Sequence, residues 1–386
     1  MQAASLAEVL ATFGPAYLAT HRLARAAAKV WRAILACRTA ALGGHVEACD
    51  GCGTTRHVYH SCRNRHCPRC QSRAKEAWLA ARRAEVLPVP YFHLVFTLPH
   101  DLNGLIGADP RPFYEALFAA ASATLSEFAA SPRHLGGVAA FSLLLHTWRQ
   151  DLGRHVHAHA LVAGGALGPD GQWVAPKKGF LFPVRALSKM FRGKYVAALD
   201  ALRGAGRLPA SVAAAADWLQ LKRRLYAHDW VVYAKQPLGG AEAVLDYLGR
   251  YTHRVAMSNE RIVGIEGSDV LLRVRADATS GKKRTLSIPG PAFIGRFLQH
   301  VLPAGFKRIR HYGLLAPARK KEALAAARAA LAMPPPQPAA IESVAAFLRR
   351  VSHIEHLRCP HCASGQFRLV APIAPQRHLA AARGPP

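Results

Sequence analysis

Three histidines alternate in the segment His155-Val156-His157-Ala158-His159. Alternate side chains of a β-strand share a face about 7 Å apart at the backbone, so His157 and His159 can bring two imidazoles to one metal ion. His155 shares that face but stands too far from His159 for all three to hold a single ion, and the same alternation also suits an exposed strand with no ligand. Tyr247 and Tyr251 stand four apart in a segment that reads as helix, which puts two hydroxyls on one face a turn apart. Aromatic pairs at that spacing also commonly only pack. The eight cysteines fall in two places: Cys37, Cys49, Cys52, Cys62, Cys67 and Cys70, then Cys359 and Cys362. Cys49 and Cys52 precede Cys67 and Cys70 as two C-x2-C pairs fourteen residues apart, a spacing that sets four thiolates tetrahedrally around zinc. The alternative is four unconnected buried thiols. Cys37, His45, Cys62 and His66 are left over for a second site. Cys359 and Cys362, with His353 and His356 upstream, suit a small C-terminal zinc site or a pair of exposed thiols.

The elements that must carry these residues follow from periodicity. Residues 1 to about 35 read as an amphipathic helix pair, and 37–73 as a cysteine- and histidine-rich module that a metal would have to hold together. The segment YFHLVFTLP from Tyr91 is a strand signal closed by Pro99, and 111–130 carry helical periodicity. AFSLLLHTW (140–148) and HVHAHALVAG (155–164), joined by RQDLGR, read as an antiparallel hairpin. Residues 184–225 are mostly helical, 230–234 form a strand and 241–251 a helix. The order strand, helix, strand, strand, helix, strand is the split ferredoxin-like pattern, so the fold class is α+β. VLLRVRA and RTLSI are strands, PAFIGRFLQHVL is a helix, Pro334 to Pro338 form a stiff linker, and the last fifteen or so residues are expected to be disordered. The expected domains are 1–85 (helical and zinc-binding), 90–320 (catalytic) and 321–386 (helix, linker and CPHC tail).

With 51 Lys plus Arg against 23 Asp plus Glu, the formal net charge is +28. Such a balance favours a polyanion as partner. A membrane is disfavoured because no apolar run approaches the eighteen or so residues of a spanning helix. At 51% hydrophobic and 19% charged, the chain buries a real core and is not generally disordered. The amino terminus lacks the layout of a secretory signal, so a cytoplasmic, reduced setting is expected and clustered cysteines point to metal rather than disulfides. No acid occurs between Gly51 and Lys75, where Arg56, Arg63, Arg65, Arg69 and Arg73 form a basic run suited to phosphate contact.

Together these motifs resemble those of the rolling-circle HUH-type insertion-sequence transposases of bacteria, the two-tyrosine family with an N-terminal zinc-binding domain. His157-Ala158-His159 is similar to the family's His-hydrophobic-His motif, and Tyr247 with Tyr251 to its paired tyrosines. CRTAALGGH, HSCRNRHCPRCQ, HTW with nearby Gln150, FLFPVRALSKMFRGKY, YLGRYTHRVAMSN and FKRIRHYGLL extend the similarity from about residue 5 to 320. Ala158 replaces the usual bulky hydrophobe, which the motif tolerates if that side chain faces away from the metal. The resemblance implies a DNA strand transferase acting on single-stranded transposon ends and target, with Mg or Mn on His157 and His159 and zinc in the N-terminal module. It implies attack by Tyr247 or Tyr251 on a scissile phosphate, giving a 5′-phosphotyrosine and a free 3′-hydroxyl. Arg63, Arg65, Arg69, Arg250 and Arg254 are the expected DNA contacts. A third metal ligand is needed, with Gln150, an acid or His253 as candidates. The competing readings are a replication initiator or relaxase with the same chemistry, and a zinc-dependent DNA-binding protein without catalysis.

Overall fold

The computed structural model describes residues 4–177, 181–234, 256–276, 281–335 and 355–376, with 243, 244, 249, 343, 346, 349 and 350 between them. The described helices are α1 (Leu6–Thr20), α2 (Arg25–Ala36), α3 (Gln71–Arg83), α4 (Asn103–Ala108), α5 (Pro110–Ala130), α6 (Val184–Gly204), α7 (Ala215–Ala227), α8 (Gly290–Leu298) and α9 (Lys320–Ala330). The strands are β1 (Gly44–Cys49), β2 (Thr55–Tyr59), β3 (Tyr91–Thr97), β4 (Val138–Trp148), β5 (Arg154–Leu167), β6 (Trp173–Val174), β7 (Val232–Ala234), β8 (Ile262–Glu266), β9 (Asp269–Arg275), β10 (Lys283–Pro289), β11 (Ile309–Gly313) and β12 (Phe367–Ile373). The chain divides into two compact units, one of Met1–Trp78, His253–Gly295 and Ala340–Pro386, the other of Leu79–Thr252 and Arg296–Ala339. Among the described residues no helix is long and apolar enough to cross a membrane.

The unit that holds the amino terminus begins with a capping box: Ser5 Oγ accepts from the Glu8 N–H, and the Ser5 N–H donates to the Glu8 carboxylate. Helix α1 buries Leu6, Val9, Leu10, Phe13 and Tyr17. It approaches α2 so closely at Gly14 that a Cβ there would strike the Trp31 ring. Beyond the helices, β1 is the centre of an antiparallel sheet ordered β12-β1-β2. The C-terminal segment thus returns to pair with the cysteine-rich module, placing Cys49 opposite Phe367. A second three-stranded sheet, β10-β9-β8, carries the strands expected around 270 and 285.

The other unit is built on the sheet ordered β11-β4-β5-β3-β7, antiparallel throughout, with β6 added to β5. Four of its strands connect as β3-α5-β4-β5-α6-β7, the split ferredoxin-like pattern, and the molecule is α+β as the sequence pattern implies. Period-two alternation sends Phe96, Leu143, Leu145, Val156, Ala158 and Val162 to one face, in one core with Phe113, Leu117 and Phe118 of α5 and Leu187, Phe191 and Tyr195 of α6. The same alternation turns His93, His146, His157 and His159 to the other face. The helix expected over 241–251 lies largely outside the described residues, as does the C-terminal end.

Candidate metal centres

Strand register builds the histidine centre. His146 on β4 stands directly opposite His157 on β5, two pairs along from the Leu144–His159 pair. A slip of one residue would send these imidazoles into the helix-facing core, so the burial of Leu143, Leu145, Val156 and Ala158 fixes the centre indirectly. Ala158 is fully buried on that helix-facing side, away from the imidazoles. His157 Nε2 lies 3.1 Å from His159 Nε2, which lies 3.0 Å from His146 Nδ1. Ligand nitrogens at about 2.1 Å from one ion stand about 3.0 Å apart when mutually cis, so His159 is spaced as a cis neighbour of both other rings, and the three ligand atoms all lie within 4.8 Å of one another.

Their orientation is held from behind. His157 Nδ1 donates to the His155 carbonyl oxygen at 2.9 Å, which turns the Nε2 lone pair toward the other two rings. His159 Nδ1 meets His93 Nε2 of β3 at 2.8 Å, and a proton on Nδ1 leaves Nε2 free to ligate. The His146 ring stacks on Trp148 with centroids 4.4 Å apart. Burial, reinforced by neighbouring His155, pushes the His157 imidazole down to about 4, so it is neutral and able to donate a lone pair at pH 7.

His146 is the candidate ligand that sequence reasoning missed. Its signal was present, because a hairpin whose turn starts at Arg149 brings the end of AFSLLLHTW opposite the start of HVHAHALVAG. Gln150, considered as third ligand, lies exposed in the turn after β4. The turn is clamped at buried Leu152, whose φ of 62° is left-handed and whose carbonyl accepts from Gln299 Nε2 and His300 Nε2 at 2.7 and 2.9 Å. Nothing in the sequence linked His93 to His159. Tyr247, Tyr251, Arg250, His253 and Arg254 lie outside the described residues.

The cysteines group differently from expectation. Cys49 and Cys52 do not share a site with Cys67 and Cys70; Cys37, Cys62, Cys67 and Cys70 form one group, and Cys49, Cys52, Cys359 and Cys362 another. In the first, Cys70 Sγ lies 3.5 Å from Cys37 Sγ and 3.6 Å from Cys62 Sγ. The physical reason for the regrouping is strand pairing: β1 runs into Cys49 at the end where β12 begins, so the nearest second pair comes from the C-terminal segment. The leftover histidines join neither group. His45 Nε2 sits 3.0 Å from Glu47, and His66 Nδ1 sits 3.2 Å from Asn64 Oδ1. The CPHC pair groups with Cys49 and Cys52 and not with His356, while His353 lies outside the described residues.

Of the basic run, Arg63 and Arg65 are exposed. Arg69 is exposed too, yet its guanidinium donates to the Cys37 carbonyl and Ser5 hydroxyl at 3.4 and 3.3 Å, so it also ties α1 to the first cysteine group. Arg56 is structural: it pairs with Glu47, donates to the His356 carbonyl and stacks on Phe367 at 3.8 Å. Burial raises the Glu47 carboxyl, but the bonds from Arg56 and His45 outweigh it and hold Glu47 below the ordinary range.

These arrangements agree with what the chain resembles. Residues 140–323, which include all three histidines, match the putative transposase family, and residues 9–98, which include six cysteines, match the transposase zinc-binding domain of the IS91 type. The chain is 44% identical to the putative transposase y4qJ of Sinorhizobium fredii over 371 residues, covering 94% of this chain and 93% of the relative. It is 27% identical over 338 residues to the transposase for insertion sequence element IS801 of Pseudomonas savastanoi pv. phaseolicola, covering 85% and 80%. No solved structure matches it. The chain therefore belongs to the IS91-type insertion-sequence transposases, the two-tyrosine rolling-circle family with an N-terminal zinc-binding domain.

Proposed function

We propose that this transposase cuts and rejoins single-stranded DNA at transposon ends through a phosphotyrosine link. The observation that carries the reading is the in-register triad of His146, His157 and His159, three imidazoles converging on one face of the sheet. A divalent cation held there would supply the positive charge that polarises a scissile phosphate. Three nitrogens and no carboxylate suit Mn²⁺ better than Mg²⁺, which prefers oxygen. The triad's part is to hold its ligand atoms at fixed spacing while leaving the solvent side for phosphate oxygens and water.

Tyr247 or Tyr251 is the nucleophile. Its oxygen forms a bond to phosphorus as the bond to the 3′-oxygen breaks; the phenol proton is released, and the departing 3′-oxygen takes up a proton. The phosphodiester energy is kept in the link, so a 3′-hydroxyl can later displace the tyrosine without ATP. Two tyrosines permit two such links, on donor and target strands in turn. Arg63 and Arg65 supply backbone contacts of the kind that raise affinity without reading sequence.

The test is incubation with single-stranded oligonucleotides copied from the element's flanks, in Mn²⁺ or Mg²⁺, followed by denaturing gel and mass spectrometry. An adduct that is abolished by EDTA and maps to Tyr247 or Tyr251 is expected, and the corresponding Tyr→Phe change removes it. Tight binding to every flank without any adduct would leave a zinc-dependent DNA-binding protein instead.

A further inference from the structure

We infer that Cys49, Cys52, Cys359 and Cys362 form a second zinc site, one that closes the C-terminal segment onto the N-terminal module. The site stands apart from the strand-transfer reading and is not contained within residues 9–98, since two of its four ligands, Cys359 and Cys362, lie far beyond them. Cys49 Sγ is 3.6 Å from Cys362 Sγ although they are 313 residues apart, and Cys52 Sγ is 3.7 Å from Cys359 Sγ. Four thiolates at about 2.3 Å from zinc stand about 3.8 Å apart, whereas a disulfide needs about 2.05 Å, so the spacing is that of a metal tetrahedron. All four sulfurs come from two C-x2-C turns, the ligand pattern of closed structural zinc sites.

Each turn is shaped as a knuckle around its thiol. The Gly51 N–H points at Cys49 Sγ at 3.4 Å and the Gly365 N–H at Cys362 Sγ at 3.3 Å. Such donors stabilise thiolate over thiol. The turns then meet through glycine: a Cβ on Gly365 would collide with Cys49 Sγ and the Gly51 nitrogen. Asp50 completes the join, its carboxylate accepting from the Gln366 N–H at 2.7 Å and from Arg368 at 3.1 Å. Among the described residues, Phe367 is the one other hydrophobic side chain clustered with these sulfurs, so there is almost no other core around them. A cluster of thiols in so small a hydrophobic setting needs a metal to be stable. The consequence is topological: everything between Cys52 and Cys359, which includes the whole histidine-bearing unit, is a loop closed by this one ion.

The test is metal analysis and native mass spectrometry of the full chain, read with thiol alkylation. Two zinc ions per chain are expected. In the zinc-loaded wild type, Cys359 and Cys362 should resist alkylation at least tenfold relative to the chelated protein. The C359S/C362S double variant should hold one zinc and keep Cys37, Cys62, Cys67 and Cys70 protected. The proposal is overturned by one zinc in the wild type, by two zincs retained in the double variant, or by a mass four hydrogens short, which means two disulfides. If the double variant does not fold, the wild-type reaction decides alone: Cys359 and Cys362 alkylating at the rate of free thiols in zinc-loaded protein overturns the site.

Discussion

The histidine centre and the cysteine centres bring ligands together by opposite means. His146, His157 and His159 sit on neighbouring strands whose other faces fill a core with α5 and α6. Their spacing is therefore set before any ion arrives. The cysteines sit on or beside turns, and the group that includes Cys49 and Cys359 has, among the described residues, Phe367 as the one buried hydrophobic side chain clustered with it. A rigid sheet can hold an ion that is exchanged and used, whereas a loop-built site must be held by the ion itself. On the proposed reading, the same protein would separate metal as reagent from metal as structural element.

The sharpest way to break this contrast is to strip metal and ask which sheet survives. Zinc on a structural cysteine site is worth about 10–16 kcal/mol in apparent folding free energy, as much as the whole stability of an ordinary domain. Strong chelation should abolish amide protection in β1, β2 and β12 while β3, β4 and β5 remain protected in hydrogen exchange. Persistent protection of the β12-β1-β2 sheet without metal would show that strand pairing suffices there, and the contrast would fail.

Next in size are the ligands of the histidine centre. His157→Ala or His146→Ala should lower the rate of oligonucleotide adduct formation about a thousandfold, the several kcal/mol a bound ion contributes to a charged transition state. The melting temperature of the variants should move by only a few degrees, because Ala at position 146 or 157 opens no space in the helix-facing core. A collapse in stability as large as the loss of rate would mean that the rings serve as core.

How far the sequence could be read follows the same division. The histidine-bearing sheet is legible because alternation and turn chemistry are local signals: the hairpin from 140 to 164 and the order of strands and helices follow from short windows. His157 and His159 are two apart, so one strand was enough to pair them. His146 required counting register across the hairpin, and His93 required knowing that β3 lies beside β5, which no local pattern states. The cysteines mislead for a related reason. Spacing rules score neighbours in sequence, so Cys49 and Cys52 were matched with Cys67 and Cys70 rather than with a C-x2-C pair some three hundred residues on. Cys37 and Cys62, which no spacing rule demands, complete the nearer site.

His93 gives a smaller effect that separates positioning from ligation. Its Nε2 meets the far nitrogen of His159, so it fixes a ring without being among the three converging ligands. His93→Ala should weaken Mn²⁺ binding by about 10–100-fold, the usual cost of losing a partner behind a ligand, while the adduct rate at saturating Mn²⁺ stays within a few-fold of wild type. A rate that cannot be restored by added Mn²⁺ would place His93 in the chemistry itself and extend the centre beyond three residues.

The least of these effects concerns the support beneath the centre. Thr147, between His146 and Trp148, lies 3.0 Å from His300 Nδ1, while His300 Nε2 donates to the Leu152 carbonyl at 2.9 Å. The neutral ring satisfies both partners, and burial pushes its imidazole down from 6.5 to about 4. Between those values the unfolded chain binds a proton that the folded one refuses, so this contribution to stability is complete above about 6.5 and declines as pH falls toward 4. The full span is worth about 3 kcal/mol at most. His300→Gln keeps hydrogen-bonding groups but cannot titrate, so its melting temperature should fall less steeply than wild type between pH 7 and 4.5. His157 and His311 are shifted the same way and remain in both proteins, which leaves the difference between the two curves to His300. Parallel curves would mean that His300 is already protonated in the fold, and the turn that aligns His146 with His157 would then be held by charge instead of by a neutral buried ring.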